Sequence, residues 1–310
     1  MKLFSIFEGR HVLTVAFLYL CFTSTMFLGS TILTQNHYPF FVAGVRFFGS
    51  GVILLTLYFL RHKKTMWQQL PQLVCPSFFK YAFCLYTLSA IGFSWGMQYV
   101  DPVKACFVFV LAPFITALLL FFLKDEKLTP KKIAGLMIGF AAVIPIILEA
   151  AHGSSHDIPV YLAMLGYIAF GLAVITFAYG WILNQEMHKT VHVPSSLITG
   201  AALVVGGGLT LLFSVMMQGK ALFAMQVTQD FWWLLLLFAM ITAFAYNLYS
   251  TLLKQYSATF VAFASFLEPA FGLLYASLFL GQPISTTSFA SLTALGFGLY
   301  LFYQEELRLR

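Results

Sequence analysis

Glu268 and Pro269 stand side by side in "ASFLEPAFGLL" (264–274), inside a run that is otherwise mostly apolar on both sides. Burying a carboxylate without a partner costs on the order of several kcal/mol, so this one has to be compensated or put to use. A proline inside a helix removes one backbone hydrogen bond and tends to kink or break the helix. Two chemistries suit the pair. The carboxyl can bond the backbone groups that the proline frees, or it can face a cavity as a site for a cationic group or a proton. It stays charged only beside a cation or several donors, and is otherwise held protonated. An ionisable group in an apolar segment of this length is a functional candidate by default, and the cavity reading is the preferred one.

Other chemistry-bearing residues sit in similar runs. "GFSWG" (92–96) and "FAYNLY" (244–249) bring the hydrogen-bonding atoms of Ser94, Trp95, Tyr246 and Asn247 into apolar surroundings. Aromatic residues make up 18% of the chain. A cavity with aromatic walls and few polar groups suits a small amphiphilic ligand, so these four join Glu268 as candidate binding residues. Lys104 lies close to Asp101 near the end of its run. It can reach water or pair with Asp101, or it can meet an anion at the mouth of a cavity. Arg46 reads as structural, pairing with a carboxylate or with backbone carbonyls. Pro113 and Pro269 read as helix breaks and hinges.

Two His-x3-His pairs, His152/His156 and His188/His192, fall in segments that read as loops and are taken as solvated rather than metal-ligating. The four cysteines are isolated, without C-x-x-C spacing, and read as small apolar side chains. Neither a metal nor a cofactor is expected.

The elements that must position these residues follow from composition. Of 310 residues, 60% are hydrophobic and 9% charged. A soluble domain carries about 25% charged residues, so this chain cannot dress a water-facing surface and reads as a polytopic, all-α membrane protein. With about 20 apolar residues needed per crossing, ten spans are expected: 12–33, 40–60, 81–100, 103–123, 133–150, 160–183, 195–217, 231–253, 258–280 and 286–303. The longer link at 61–80 has room for a short interfacial helix. The first span is too long for the apolar region of a signal peptide.

A net charge of +6 argues for nucleic acid in a soluble protein, but not in this one. With the N-terminus inside, every Lys and Arg except Arg46, Lys104 and Lys220 falls in a cytoplasmic segment, as the positive-inside rule requires. Both termini are therefore placed in the cytoplasm.

A 156-residue offset lays 107–119 over 263–275, matching Phe107 to Phe263, Leu111 to Leu267, Pro113 to Pro269 and Leu118 to Leu274. An offset of 155 lays Pro39 on Pro194. The chain divides into two five-helix repeats, 1–155 and 156–310, and an odd span number makes them inverted. Loop charge agrees: "KDEKLTPKK" (124–132) has four lysines, and its counterpart "GQPISTT" (281–287) has no charge. Inverted repeats with interrupted helices are the architecture of alternating-access carriers, whose sites lie near the midplane. The G-x-x-x-G patterns at 92–96 and 135–139 read as close helix packing, with a weak dimer face at Gly135/Gly139 as the alternative.

Here the chain resembles the drug/metabolite transporter superfamily, and within it the EamA-like branch. The matching features are Arg46 of "VRFF", Pro113 of "AP", Glu126 of "KDEKLT", Gly135 and Gly139, and Glu268–Pro269 of "LEP". The resemblance covers essentially the whole chain. Two positions depart from the family pattern: Gln282 stands where a Glu is usual, and Lys104 where a small or apolar residue is usual.

The resemblance implies transport of amino acids, of nucleotide-like metabolites including S-adenosylmethionine, or of drugs. A central carboxylate favours a cationic or zwitterionic metabolite over an anion. The expectation is a transporter of the bacterial inner membrane, monomer or weak homodimer, with proton or counter-substrate coupling left open. The rivals are a drug exporter of the same fold and an intramembrane enzyme. The enzyme needs paired acid or His–Asp ligands at one depth, and no such pair appears in the spans.

Overall fold

The structure is a computed structural model of the chain. It describes residues 9–35, 38–100, 102–124, 129–152, 159–219, 228–256, 258–263, 265, 267–281 and 285–309. All regular structure among these residues is helical. In chain order the helices are α1 (Gly9–Gln35), α2 (Pro39–Gln69), α3 (Pro76–Phe83), α4 (Ser89–Gly96), α5 (Pro102–Phe109), α6 (Ala112–Lys124) and α7 (Pro130–His152). Then come α8 (Val160–Thr190), α9 (Ser195–Gln218), α10 (Gln229–Leu252), α11 (Ala258–Phe263), α12 (Leu267–Leu280) and α13 (Thr286–Leu309).

Proline and glycine punctuate these helices. Pro39, Pro76, Pro102 and Pro130 each open a helix, and Pro159 and Pro194 immediately precede one. A missing N–H is no loss in a first turn, and the fixed φ is already helical. Gly219 and Gly281 stop α9 and α12 in the left-handed region, at φ 50° and 63°, where a side chain is strained.

Among the described residues, four helical stretches are each long and apolar enough to cross a membrane alone: Pro39–Lys63, Val160–Thr190, Ser195–Met217 and Gln229–Leu252. A pair of helical stretches, Thr65–Leu73 with Pro76–Gly96, is apolar enough when taken together and is bent by 85°. The link expected at 61–80 is thus mostly helical. α2 breaks at His62 (φ −139°, ψ 42°), runs on to Gln69 and ends in a 3-10 turn, Leu70–Leu73. Nor is 81–100 one regular helix, because a π-helical turn, Cys84–Leu88, joins α3 to α4.

Two expected spans are broken. α5 and α6 are separated at Val110–Leu111, and α11 and α12 at 264–266. The same 156-residue offset that matched the prolines carries the first pair onto the second, break on break. Pro113 and Pro269 do not kink a continuous helix. Each sits in the first turn of the helix that follows the break, where it lacks no intrahelical partner.

In lipid there is little hydrophobic drive between helices, so close backbone approach matters more. α2 lies along α9, where Gly51 abuts the backbone of Gly200 and Val204, and Gly207 abuts that of Phe48. α13 lies along α7, with Gly298 against the backbone of Gly135 and Gly139. Gly92 and Gly96 admit α8 at Ala169 and Gly166. Both G-x-x-x-G patterns therefore face helices of the same chain. Further contacts join α4 to α8, α1 to α10, α5 to α12 and α6 to α11. Large aromatic side chains fill the centre, including the fully buried Tyr19, Tyr81, Tyr86 and Trp181, while Leu60, Phe122 and Phe279 face outward.

Candidate functional site

The break between α11 and α12 places Glu268 in the opening turn of a half-helix. Free backbone N–H groups and the positive end of the helix dipole favour a carboxylate there. The residue has 0% exposure, and neither carboxyl oxygen has a partner among the described residues. The break itself is bridged from α1. The Tyr19 hydroxyl donates to the Val261 carbonyl in the last turn of α11, while the Thr23 hydroxyl donates to the Tyr19 carbonyl at 2.9 Å and comes within 3.5 Å of the Glu268 carbonyl. The carboxyl is thus left over from the repair of the backbone.

Glu268 lies within electrostatic reach of the hydroxyls of Tyr19, Tyr246 and Tyr249. Tyr246 is the hub of an aromatic cluster: its ring meets Phe22, Phe47, Tyr86, Phe177 and Trp181 at centroid distances of 5.3–6.3 Å. Tyr249 stacks on Trp181 at 3.8 Å and 15°. The π-turn contributes here. Residues five apart on an α-helix point about 140° apart, and a local π-turn winds more loosely. It brings the Tyr86 hydroxyl to 2.8 Å from that of Tyr81.

Against this cluster lies a small cavity of about 50 Å³, whose wall includes Phe22, Thr25, Arg46, Ser94, Phe177 and Tyr246. Of the residues expected to bind, Ser94 and Tyr246 line it, and Glu268 lies within reach of Tyr246. Trp95 and Asn247 are not among its described lining residues. Each directly follows a residue that is, and neighbours on a helix point about 100° apart, which turns Trp95 and Asn247 away from the wall that Ser94 and Tyr246 share. Trp95 instead packs on Tyr99 at 5.1 Å. Arg46, read from sequence as structural, stands in the cavity wall with the rings of Phe47 and Phe238 at 4.4 and 4.3 Å from its Cζ. The side chain of Lys104 lies outside the described residues, as do Asp101, Glu126, His156 and Gln282.

A second opening, a vestibule of about 790 Å³, lies where α8 and α10 end, and its wall includes Gln69, Gln185, His188, Lys189, His192 and Lys254. His188 was expected in a loop; it belongs to the last turns of α8, which runs seven residues past the expected end at 183. Its Nε2 is 2.9 Å from the Ser250 hydroxyl, which donates to Asn184 Oδ1 at 3.1 Å. A serine has one proton to give, so His188 must donate from Nε2. Trp181, Asn184 and His188 follow an i, i+3, i+7 spacing on α8, and they clasp α10 between the vestibule and the aromatic cluster. That spacing was the available signal for Trp181. Nothing in the sequence separates Phe22, Phe47 or Phe177 from the other members of a set of 35 phenylalanines.

Comparison with known proteins agrees with this architecture. A solved crystal structure superposes with a TM-score of 0.70 over 96% of this chain and 97% of its own, at 17% identity, which shows a shared fold. The chain is 27% identical over 281 residues to the "S-adenosylmethionine/S-adenosylhomocysteine transporter" of Chlamydia muridarum (strain MoPn / Nigg), covering 87% of this chain and 84% of the relative. It is 29% identical over 196 residues to the "Probable amino-acid metabolite efflux pump" of Escherichia coli (strain K12), covering 61% of this chain and 62% of that one. The family model for EamA-like transporters matches twice, at residues 11–148 and 164–304. With nearly the whole chain covered by those two matches, this multi-pass membrane protein belongs to the EamA-like transporter family.

Proposed function

We propose that the protein carries a small cationic or zwitterionic metabolite, amino-acid-derived, across the bacterial inner membrane by alternating access between two inverted halves. The observation that carries this reading is Glu268: fully buried, unpartnered among the described residues and set beside an aromatic cluster. A carboxylate with π-faces nearby suits an ammonium or sulfonium group, which both attract. The names of the relatives, an S-adenosylmethionine/S-adenosylhomocysteine transporter and a probable amino-acid metabolite efflux pump, support an amino-acid-derived solute.

Alternating access is supported by the size of the chamber. Ligand sites measure about 300–1,000 Å³, and the 50 Å³ cavity admits no metabolite until the halves move. The inverted arrangement is supported by the double family match, by the matched helix breaks and by loop charge. Cytoplasmic termini follow from the distribution of Lys and Arg. The vestibule, with Lys189 and Lys254, then faces the cytoplasm. There too lies the ion pair between Lys124 at the end of α6 and Glu186 of α8.

Uptake of labelled S-adenosylmethionine and of a panel of amino acids into proteoliposomes tests the proposal, with turnover of lipid-linked substrates assayed in parallel. Saturable accumulation of a cationic or zwitterionic solute is the expected result. Turnover without accumulation would replace the carrier with an intramembrane enzyme.

A further inference from the structure

Arg46 is the second charged side chain at the chamber with no oppositely charged partner among the described residues. It is the eighth residue of α2, two turns inside an apolar helix, yet it lines the cavity rather than leaving the bundle. Its Nε is buried and has no partner among the described residues. The one ion pair described in the chain is Lys124–Glu186, so no described acidic side chain neutralises the guanidinium. We infer that Arg46 binds a carboxylate of the transported solute. The chamber then takes a ligand with an anionic group at one end and a cationic group at the other, rather than a simple cation. The inference rests on the function proposed above and narrows its substrate class.

The geometry around Arg46 favours this use. The rings of Phe47 and Phe238 lie against the guanidinium at 4.4 and 4.3 Å from Cζ. Aromatic rings stack on the faces of a guanidinium, and its N–H donors point outward in the plane, at the edge. A carboxylate binds at that edge, through two parallel hydrogen bonds. Ser94 lies in the same wall and offers a hydroxyl, and the Tyr246 hydroxyl hydrogen-bonds the Arg46 side chain, leaving its other N–H donors for a ligand. Tyr246 is also within reach of Glu268, so one residue reports on both charges. Arg46 and Glu268 are not described as a pair. A zwitterion whose charged groups are some distance apart satisfies both and leaves the occupied chamber neutral, which lowers the cost of carrying it through a low-dielectric bundle.

The test uses two ligand pairs that differ only in the carboxylate: S-adenosylmethionine with its decarboxylated form, and phenylalanine with 2-phenylethylamine. Binding to the purified full-length protein is read by displacement and by ligand-induced thermal shift. The expected result is that the wild type prefers the carboxylate-bearing member of at least one pair by about tenfold or more, as a charge-assisted bidentate contact implies. Arg46→Gln should erase that preference while still binding the decarboxylated member. Equal preference in Arg46→Gln and wild type overturns the inference and leaves the proposed function standing. So does a wild type that binds both members of each pair equally. If Arg46→Gln does not fold, Arg46→Lys decides: a lysine keeps the charge but not the fork, so an unchanged preference overturns the bidentate contact and a weakened one upholds it. A wild type that binds none of the four probes overturns the proposed substrate class and this inference with it.

Discussion

A carboxyl at 0% exposure within a membrane bundle persists only with compensation or a use. At Glu268 the structural explanation is weakened, because the Tyr19 hydroxyl of α1 already caps the Val261 carbonyl before the break and neither carboxyl oxygen has a described partner. The matched position in the first half is Ala112, so a half-helix can begin there without an acid. Glu268→Gln should insert and melt close to wild type but lose most transport, tenfold or more by the worth of a charged contact, about 1.5–3 kcal/mol. Rates across a pH series then separate its roles. A lost pH response with some surviving transport identifies a proton site. A collapse of substrate affinity at every pH identifies a ligand contact. A variant that transports normally yet melts early would reduce Glu268 to a structural part of the break.

At the scale of elements, the two broken helices are where motion can occur without tearing regular structure. A continuous helix resists bending because each turn is bonded to the next, whereas α5 and α6 are separate helices, as are α11 and α12. Pro113 and Pro269 keep the second segments from extending backward, since neither can donate the hydrogen bond that would join them. Alanine at either position restores that donor and lets the helix grow across the break. Pro113→Ala and Pro269→Ala should therefore each slow transport severalfold while leaving expression and melting temperature nearly unchanged. Transport at the wild-type rate in both variants would remove the hinge role from the breaks.

Across the whole molecule, the helix contacts have a pattern of their own. In span order, α2 with α9 pairs the second with the seventh, and α7 with α13 pairs the fifth with the tenth. α1 with α10 pairs the first with the eighth, and α4 with α8 the third with the sixth. Exchanging the first five spans for the last five returns the same set. That pattern fits two repeated halves. If the halves are inverted as proposed, the loops at 124–132 and 281–287 lie on opposite faces. Single cysteines at Thr129 and Thr286, in a cysteine-free background, should differ in labelling by an impermeant reagent applied from outside. Equal labelling of both would rule out the inverted arrangement.

The sequence by itself determined the solvent, the helical class, the family and the two positions where helices break. Each is carried by local information: average polarity, runs of apolar residues, and prolines at a fixed offset. It also singled out Glu268, because a charge in an apolar run is conspicuous without any coordinates. The tertiary structure alone decided which of two adjacent polar residues faces inward. Ser94 was chosen over Trp95, and Tyr246 over Asn247, by the rotation of α4 and α10, and rotation is set by packing against other helices. The same holds for Arg46 and His188. One stands in the chamber wall, and the other leaves a loop for the clasp on α10. Their partners lie 62 or more residues away in sequence, Ser250 for His188 and Phe238 for Arg46. No spacing rule along one segment could have brought them together.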